Sequence, residues 1–97
     1  MLSETIRKTR MYSGITQAEM AKALFMSESK YSRKENGRMK IGRDEALKIA
    51  KILDLDESMI LRYWMADKLF ELMKHDKDVV YDALSIVENN FENYINH

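Results

Sequence analysis

The chain has 97 residues, of which 45% are hydrophobic and 33% are charged, and this composition is typical of one small folded domain with or without an appendage. It has no cysteine and only two histidines, which excludes disulfides and thiolate metal sites, so we expect no metal and no cofactor. No apolar run approaches the ~20 residues of a membrane span, and the first residues lack the features of a signal peptide, so we expect a cytoplasmic protein with no membrane partner.

The net charge of zero conceals an asymmetry along the chain. Residues 1–53 contain 12 Lys/Arg and 6 Asp/Glu, whereas residues 54–97 contain 4 and 10. The basic residues are densest between positions 30 and 43. A solvated basic helix face is one interpretation, and a surface that contacts a polyanion is the other.

The absence of proline and the small number of glycines predict an all-α chain. Ser3 is the expected cap of a first helix that runs to about Tyr12 and ends at Gly14. The sequence Thr16-Gln17-Ala18-Glu19 has the pattern of a capping box, which predicts a second helix from Gln17 to Leu24.

Ser27 is the expected cap of a third helix, 28–36, which Gly37 ends. A fourth helix begins near Gly42 or Arg43 and buries Ala46, Leu47, Ile49, Ala50 and Leu53, and Asp56 caps a fifth. Two short capped helices that are separated by a few residues form a helix-turn-helix pattern, in which the second helix lies in the DNA major groove.

The composition of the third helix fits a role in the groove. The side chains expected to face outward are polar or charged: Glu28, Ser29, Lys30, Arg33 and Lys34. Those expected to face inward are limited to Met26, Tyr31 and the aliphatic stem of Lys34. A helix with so little apolar surface is poorly suited to a purely structural role.

Residues 2–62 resemble the phage-repressor/Cro-like (Xre-type) helix-turn-helix transcriptional regulators. The resemblance depends on Gly14-Ile15-Thr16-Gln17-Ala18-Glu19, Glu35-Asn36-Gly37 and Leu47-Lys48-Ile49-Ala50 at these separations. It implies a five-helix repressor-like DNA-binding domain at residues 1–62, with double-stranded DNA as its partner.

The resemblance also implies residue roles. Gln17 and Asn36 contact phosphates or set the register, Glu28, Ser29 and Arg33 read bases, Arg38 and Lys40 hold the DNA backbone, and Arg43 approaches the minor groove. The full expected set of DNA-binding residues is Gln17, Ser27, Glu28, Ser29, Lys30, Arg33, Lys34, Asn36, Arg38, Lys40 and Arg43. Arg10 and Glu35 match an ion pair that fixes the third helix. Glu28 either accepts a hydrogen bond from a cytosine amino group or repels phosphate.

Four residues depart from the family pattern, and the first in the chain is Thr9, which replaces a usual leucine. Phe25 stands where the family favours glycine in the turn, so either the turn is strained and the ring is buried in return, or the turn has another geometry. Lys34 replaces an apolar residue. Gly42 lacks the usual hydroxyl cap.

Residues 63–97 are expected to form a C-terminal helical extension. The fifth helix extends to about Lys74, residues 76–78 form a turn, and an additional C-terminal helix follows. Its apolar residues have the 4-3-4-3 spacing of a heptad seam, which packs either on the fifth helix or on a second copy: Val80, Leu84, Val87, Phe91 and Tyr94. The extension also resembles helices of regulators that are associated with DNA-modification systems.

These features favour a sequence-specific regulator, a repressor, that binds a palindromic operator as a homodimer. The alternative is an antitoxin or other interaction module whose acidic C-terminal helices bind a partner protein. An enzyme ranks below both, because the sequence has no glycine-rich phosphate loop, nucleophile–base pair or metal-ligand spacing.

Overall fold

The computed structural model describes residues 1–95, except for the side chain of Tyr94. Over this range the chain is all-α, as predicted, with no strand and with an extended fifth helix. The helices are α1 (Leu2–Tyr12), α2 (Gln17–Ala23), α3 (Glu28–Glu35), α4 (Arg43–Ile52) and α5 (Glu57–Ile95).

Three of the predicted helix caps are confirmed. The Thr16 hydroxyl accepts a hydrogen bond from the Glu19 N–H at 3.0 Å, and the Glu19 carboxylate completes the capping box. The Ser27 hydroxyl accepts from the N–H of Lys30 in the first turn of α3, and the Asp56 carboxylate accepts in the same way at the start of α5. These side chains satisfy backbone donors that a helix leaves unpaired in its first turn.

The predicted cap of α1 is wrong. The helix begins at Leu2, so Ser3 lies inside its first turn and makes no capping hydrogen bond. The Leu2 N–H instead donates to Asp67 Oδ2 at 3.0 Å. A carboxylate from α5 therefore accepts a hydrogen bond from the first N–H of α1, at the end of the helix where the dipole favours a negative charge.

The first four helices end in the same way. In each, the N–H of the first residue after the C-cap donates to the carbonyl three residues earlier. The N–H of the second residue donates to the carbonyl five residues earlier, and these two hydrogen bonds define the Schellman motif. In α3, for example, the Arg38 N–H donates to the Arg33 carbonyl at 2.9 Å. The first residue after the cap takes a positive φ in every case, and these residues are Gly14, Phe25, Gly37 and Asp54.

Residues 1–67 form one compact unit. Its core takes a fully buried side chain from each of the five helices: Ile6, Met20, Tyr31, Ile49 and Ile60. Ala46, Ile49, Ala50 and Leu53 are buried as predicted, whereas Leu47 is only half-buried. Burial of these side chains holds α2 and α3 on the other helices, because neither is long enough to be stable alone.

Residues 68–97 form a second unit, whose backbone is described as far as residue 95. The helix continues through it and is interrupted at Asp76, where φ is −139° and ψ is 52°. The expected break is therefore present, but as one non-helical residue and not as a three-residue turn. The division at residue 62 stays a prediction.

The second unit is largely exposed. No side chain described between positions 68 and 95 is buried. Nine large apolar side chains are exposed there: Phe70, Leu72, Val79, Tyr81, Leu84, Ile86, Val87, Phe91 and Ile95. Val80 is half-buried, and Tyr94, the last member of the predicted seam, lies outside the described side chains. Among the described residues no helix has a stretch apolar and long enough to cross a bilayer.

Candidate nucleic-acid interface

The two helices α2 and α3 pack against each other through a short turn at residues 24–27. Met20 of α2 and Tyr31 of α3 are fully buried and join this pair to the core. Leu24 and Met26 flank the turn and pack partly against the same core. One side of this helix pair is therefore packed on the core, and the opposite side is exposed.

One side of α3 is buried and the other is exposed. Tyr31, Lys34 and Glu35 are buried, and together they cover about one third of the helix circumference at roughly 100° per residue. The same spacing places Ser29, Arg33 and Asn36 in a line on the opposite side, and all three are exposed. The outer side of α3 therefore presents a hydroxyl, a guanidinium and an amide, which are groups that hydrogen-bond to bases and phosphates.

Glu28 and Lys30 lie beside this line. Glu28 is exposed in the first turn of α3, so both interpretations of its role remain open. Lys30 is half-buried. It lies close enough to Glu45 to help lower the pKa of that carboxyl.

The prediction that Lys34 faces outward is wrong. The residue is 7% exposed, and its ammonium donates to Glu45 Oε1 at 2.7 Å and to the Lys40 carbonyl at 2.9 Å. The position is on the inward side of α3, where the family has an apolar residue, so the charge needs partners inside the fold. Lys34 is therefore not available to DNA in this conformation.

Arg10 and Glu35, the predicted ion pair, form a bidentate salt bridge. Arg10 Nε donates to Glu35 Oε2 and Nη2 to Oε1, both at 2.8 Å. A third donor, Nη1, reaches the Ile15 carbonyl at 2.7 Å. The Glu35 side chain is fully buried, so this pair ties the last turn of α3 to α1 and to the loop before α2.

The protonation of this cluster follows from its geometry. Burial acts to raise the pKa of Glu35, but hydrogen bonds from Arg10 and Gln17 outweigh it and hold that pKa below its ordinary value. Burial raises the pKa of the Tyr31 hydroxyl, and the nearby Glu35 carboxylate adds to the effect. That hydroxyl makes no hydrogen bond of ordinary geometry within the described residues. Tyr31 is a core residue, as the sequence favoured.

Gln17, an expected phosphate contact, belongs to the same cluster. Its side-chain amide donates to Glu35 Oε1 at 3.3 Å, and the residue is half-buried at the start of α2. Glu35 thus fixes the orientation of Gln17. Asn36 donates weakly to Ser32 Oγ, at 3.4 Å, and stays exposed.

Four cations near α3 have no acidic partner among the described residues. Arg33 lies on α3, Arg38 and Lys40 lie in the loop that follows, and Arg43 begins α4, and all four are exposed. The basic residues that do form ion pairs in the same unit are Lys8, Arg10 and Lys34. These four unpaired charges lie on α3 and on the residues that follow it, where they attract a polyanion.

Phe25 fits neither of the two expected alternatives. Its φ of 56° puts it in the left-handed region, so the turn keeps the geometry that glycine favours. The ring is 95% exposed, so no burial offsets the strain. The cost of this conformation for a non-glycine residue is about 1 kcal/mol or more.

Sequence reasoning missed three residues that support this surface. Asp67 satisfies the start of α1, Glu45 pairs with Lys34, and Trp64 Nε1 donates to the Ile41 carbonyl at 2.8 Å. The pattern Gly42-Arg43-Asp44-Glu45 did carry a signal, because glutamate three residues after a cap commonly accepts from the cap N–H, as it does here at 2.9 Å. Asp67 and Trp64 act over long sequence separations that no local pattern indicates.

Comparison with known proteins agrees with this geometry. A family model described as a helix-turn-helix domain matches residues 2–62. No curated protein and no solved structure gives a significant match. The matched range covers more than half of the chain and all of α1–α4, and such domains are typical of DNA-binding regulators. The chain belongs to the helix-turn-helix domain family.

Proposed function

We propose that the protein is a sequence-specific double-stranded DNA-binding transcriptional repressor of the phage-repressor/Cro-like (Xre) type. The observation that supports this most directly is the outward side of α3, where Ser29, Arg33 and Asn36 are exposed in a line opposite the buried side. In a helix of eight residues, such a line spans the two turns that fit the major groove. Ser27, Lys30, Arg38, Lys40 and Arg43 would contact the surrounding phosphates.

The protein would act as a homodimer on a palindromic site whose half-sites lie about one helical turn, ~34 Å, apart. The exposed apolar side chains of residues 68–95 support this proposal. By helical spacing Asp78, Asp82 and Glu92 lie away from the Val80–Leu84–Val87–Phe91 seam and Glu88 lies at its edge, so most of the acidic side chains would stay outside a contact with a second copy.

Selection of binding sites from random double-stranded DNA, carried out at two salt concentrations, tests the proposed function. We expect enrichment of an inverted repeat, with affinity that falls steeply as salt rises because phosphate contacts release counterions. Enrichment of no sequence at low salt would contradict the proposal. Genes of DNA-modification systems are the first targets to examine, because the extension resembles that of their regulators.

The second candidate function is an antitoxin or interaction module. Residues 78–95 contain four acidic residues and no lysine or arginine, which suits a basic protein partner. Light scattering at micromolar concentration separates the two arrangements. A mass of two chains favours the homodimer, and a mass of one chain favours a partner of another kind.

A further inference from the structure

The loop formed by residues 38–42 connects α3 to α4 and carries two of the unpaired cations, Arg38 and Lys40. Arg38 and Met39 donate to the Arg33 carbonyl at one end of the loop, and the Gly42 carbonyl accepts from the Ala46 N–H at the other. Side chains from three helices hold residues 40–42. The positions of Lys40 and Ile41 are therefore decided by tertiary contacts, whereas Gly42 is also held by the local cap at the start of α4.

These contacts fall on three consecutive residues. Lys34 of α3 donates to the Lys40 carbonyl at 2.9 Å, and Trp64 of α5 donates to the Ile41 carbonyl at 2.8 Å. The Gly42 N–H donates to Glu45 Oε1 of α4 at 2.9 Å. All of these groups lie within the compact unit of residues 1–67.

Lys34 and Glu45 also bind each other, at 2.7 Å. Burial acts to raise the pKa of Glu45, but hydrogen bonds from Lys34 and the Gly42 N–H outweigh it and hold the pKa below its ordinary value. The carboxylate is therefore charged at neutral pH. One carboxylate oxygen then serves both the lysine and the loop backbone, so the pair fixes the loop relative to α3 and α4 together.

We propose that Lys34, Glu45 and Trp64 are positioning residues for DNA binding, which hold the 38–42 loop so that Arg38 and Lys40 meet the phosphates beside the groove that α3 enters. The inference rests on the proposed function. A loop held in place before binding loses less conformational freedom when it contacts DNA. An apolar residue at position 34 could not donate to the Lys40 carbonyl, so this device depends on the lysine that this chain has there.

The variant that separates this role from simple electrostatics is the double substitution Lys34→Met with Glu45→Gln. It leaves the net charge unchanged and removes both charges of this partly buried pair together, which commonly preserves stability. Glutamine at position 45 can still accept from the Gly42 N–H. We expect affinity for the selected operator to fall about tenfold and the slope of log K against log salt to lose about one unit.

Two single substitutions in the first turn of α4 give a matched comparison. Asp44→Asn and Glu45→Gln each remove one negative charge beside a basic surface, and Asp44 is exposed and has no ion pair among the described residues. Electrostatics alone would tighten DNA binding in both. We expect tighter binding for Asp44→Asn and weaker binding for Glu45→Gln, about threefold in each direction.

A third measurement follows the loop in the free protein. The Gly42 N–H is hydrogen-bonded to Glu45, and its exchange with solvent should be faster in the double variant and in Trp64→Phe, because the Lys40 or Ile41 carbonyl is then no longer held. Circular dichroism confirms that both variants are folded. Trp64→Phe keeps an aromatic ring and removes the donor to the Ile41 carbonyl, so we expect it to weaken operator binding about threefold. If Glu45→Gln alone fails to fold, the double variant and Trp64→Phe decide the question.

The outcomes are distinguishable. Absence of operator binding by the unmodified chain would overturn the proposed function and this inference with it. Operator binding by the unmodified chain, with the same affinity and salt slope in the double variant, would overturn the inference alone. Tighter binding by Glu45→Gln, equal to that of Asp44→Asn, would show that Lys34 reaches DNA once it is released and would also overturn the inference.

Discussion

The two units of this chain differ in the burial of their apolar side chains. In residues 1–67 the apolar side chains form a core to which all five helices contribute, the Arg10–Glu35 ion pair is buried, and the Lys34–Glu45 pair is partly buried. In residues 68–95 no described side chain is buried, and large apolar side chains are exposed along the helix. The first unit has a buried core of its own, whereas the second exposes nine large apolar side chains.

The distribution of charge shows the same contrast. The first unit keeps unpaired cations around the exposed side of α3, and the second unit carries acidic residues in excess. A basic surface on a rigid core suits a polyanion whose shape is fixed, such as duplex DNA. An acidic helix with an apolar face suits association with protein. The basic surface and the exposed apolar surface therefore lie in different units of one short chain.

The largest effect is expected in the second unit. The triple substitution of Leu84, Val87 and Phe91 to serine removes the apolar seam from both copies of a dimer. Because each buried apolar side chain contributes ~1.5–3 kcal/mol, we expect the dimer dissociation constant to rise at least about 1,000-fold. Light scattering measures the mass. Serine at Asp82 and Asn89, on the other face, is the control, and a variant that stays dimeric would show that the interface lies elsewhere.

The next effect tests the first unit. Glu35→Gln leaves Arg10 without its charged partner, and the Arg10 side chain is only 12% exposed. We expect the free energy of unfolding to fall by about 3–5 kcal/mol in urea denaturation followed by circular dichroism. Glu4→Gln, which removes the exposed Glu4–Lys8 pair, should change it little. If both variants lost the same free energy of unfolding, the buried Arg10–Glu35 pair would not contribute more to stability than the exposed pair, and the prediction would be wrong.

Arg33→Ala tests whether DNA recognition lies in the first unit. Arg33 lies at the centre of the exposed line on α3, so we expect a loss of ~1–3 kcal/mol in binding free energy, concentrated at one base position of the operator. Binding of the variant to a panel of singly substituted operators measures this. A loss spread evenly over all sequences would make Arg33 a phosphate contact and not a base reader.

The pH dependence of stability should also originate in the first unit. Glu35 and Glu45 both have a folded pKa below the ordinary 4.5, so the folded state binds fewer protons than the unfolded state as the pH falls. We therefore expect the full stabilisation above about pH 5, and its progressive loss as the pH falls from there through the folded pKa values. Urea denaturation at stepped pH measures it. The Glu35→Gln, Glu45→Gln variant should have a flatter profile, and an unchanged profile would contradict this assignment.

The smallest effect concerns the turn between α2 and α3. Phe25→Gly removes the left-handed strain and loses almost no buried surface, so we expect a gain of about 1 kcal/mol in thermal or urea unfolding. Asp54→Gly is the matched control, because Asp54 has φ 54° at the same position after α4 and aspartate tolerates that region better. A larger gain for Asp54→Gly would contradict the assignment of strain to Phe25.

The starts and ends of the helices could be predicted from residues that lie next to them in the chain. Hydroxyl and carboxylate caps marked the starts of α2, α3 and α5, and glycines marked the ends of α1 and α3. Each of these signals acts within one or two turns, where side chain and backbone meet regardless of the rest of the fold. The motif Gly14-Ile15-Thr16-Gln17-Ala18-Glu19 was sufficient to indicate the helix-turn-helix family.

The packing of the helices decides contacts that no local pattern indicates, and the internal position of Lys34 is the clearest case. Lys34 is expected to be an outward cation because lysine is usually exposed, but its position on α3 faces Glu45 and the 38–42 loop. Asp67 satisfies α1, and Trp64 holds Ile41, across sequence separations of 65 and 23 residues. These residues come into contact only when the helices have packed. The helical spacing of a sequence predicts which residues share one side of a helix, but it does not predict which residues of another helix lie opposite them.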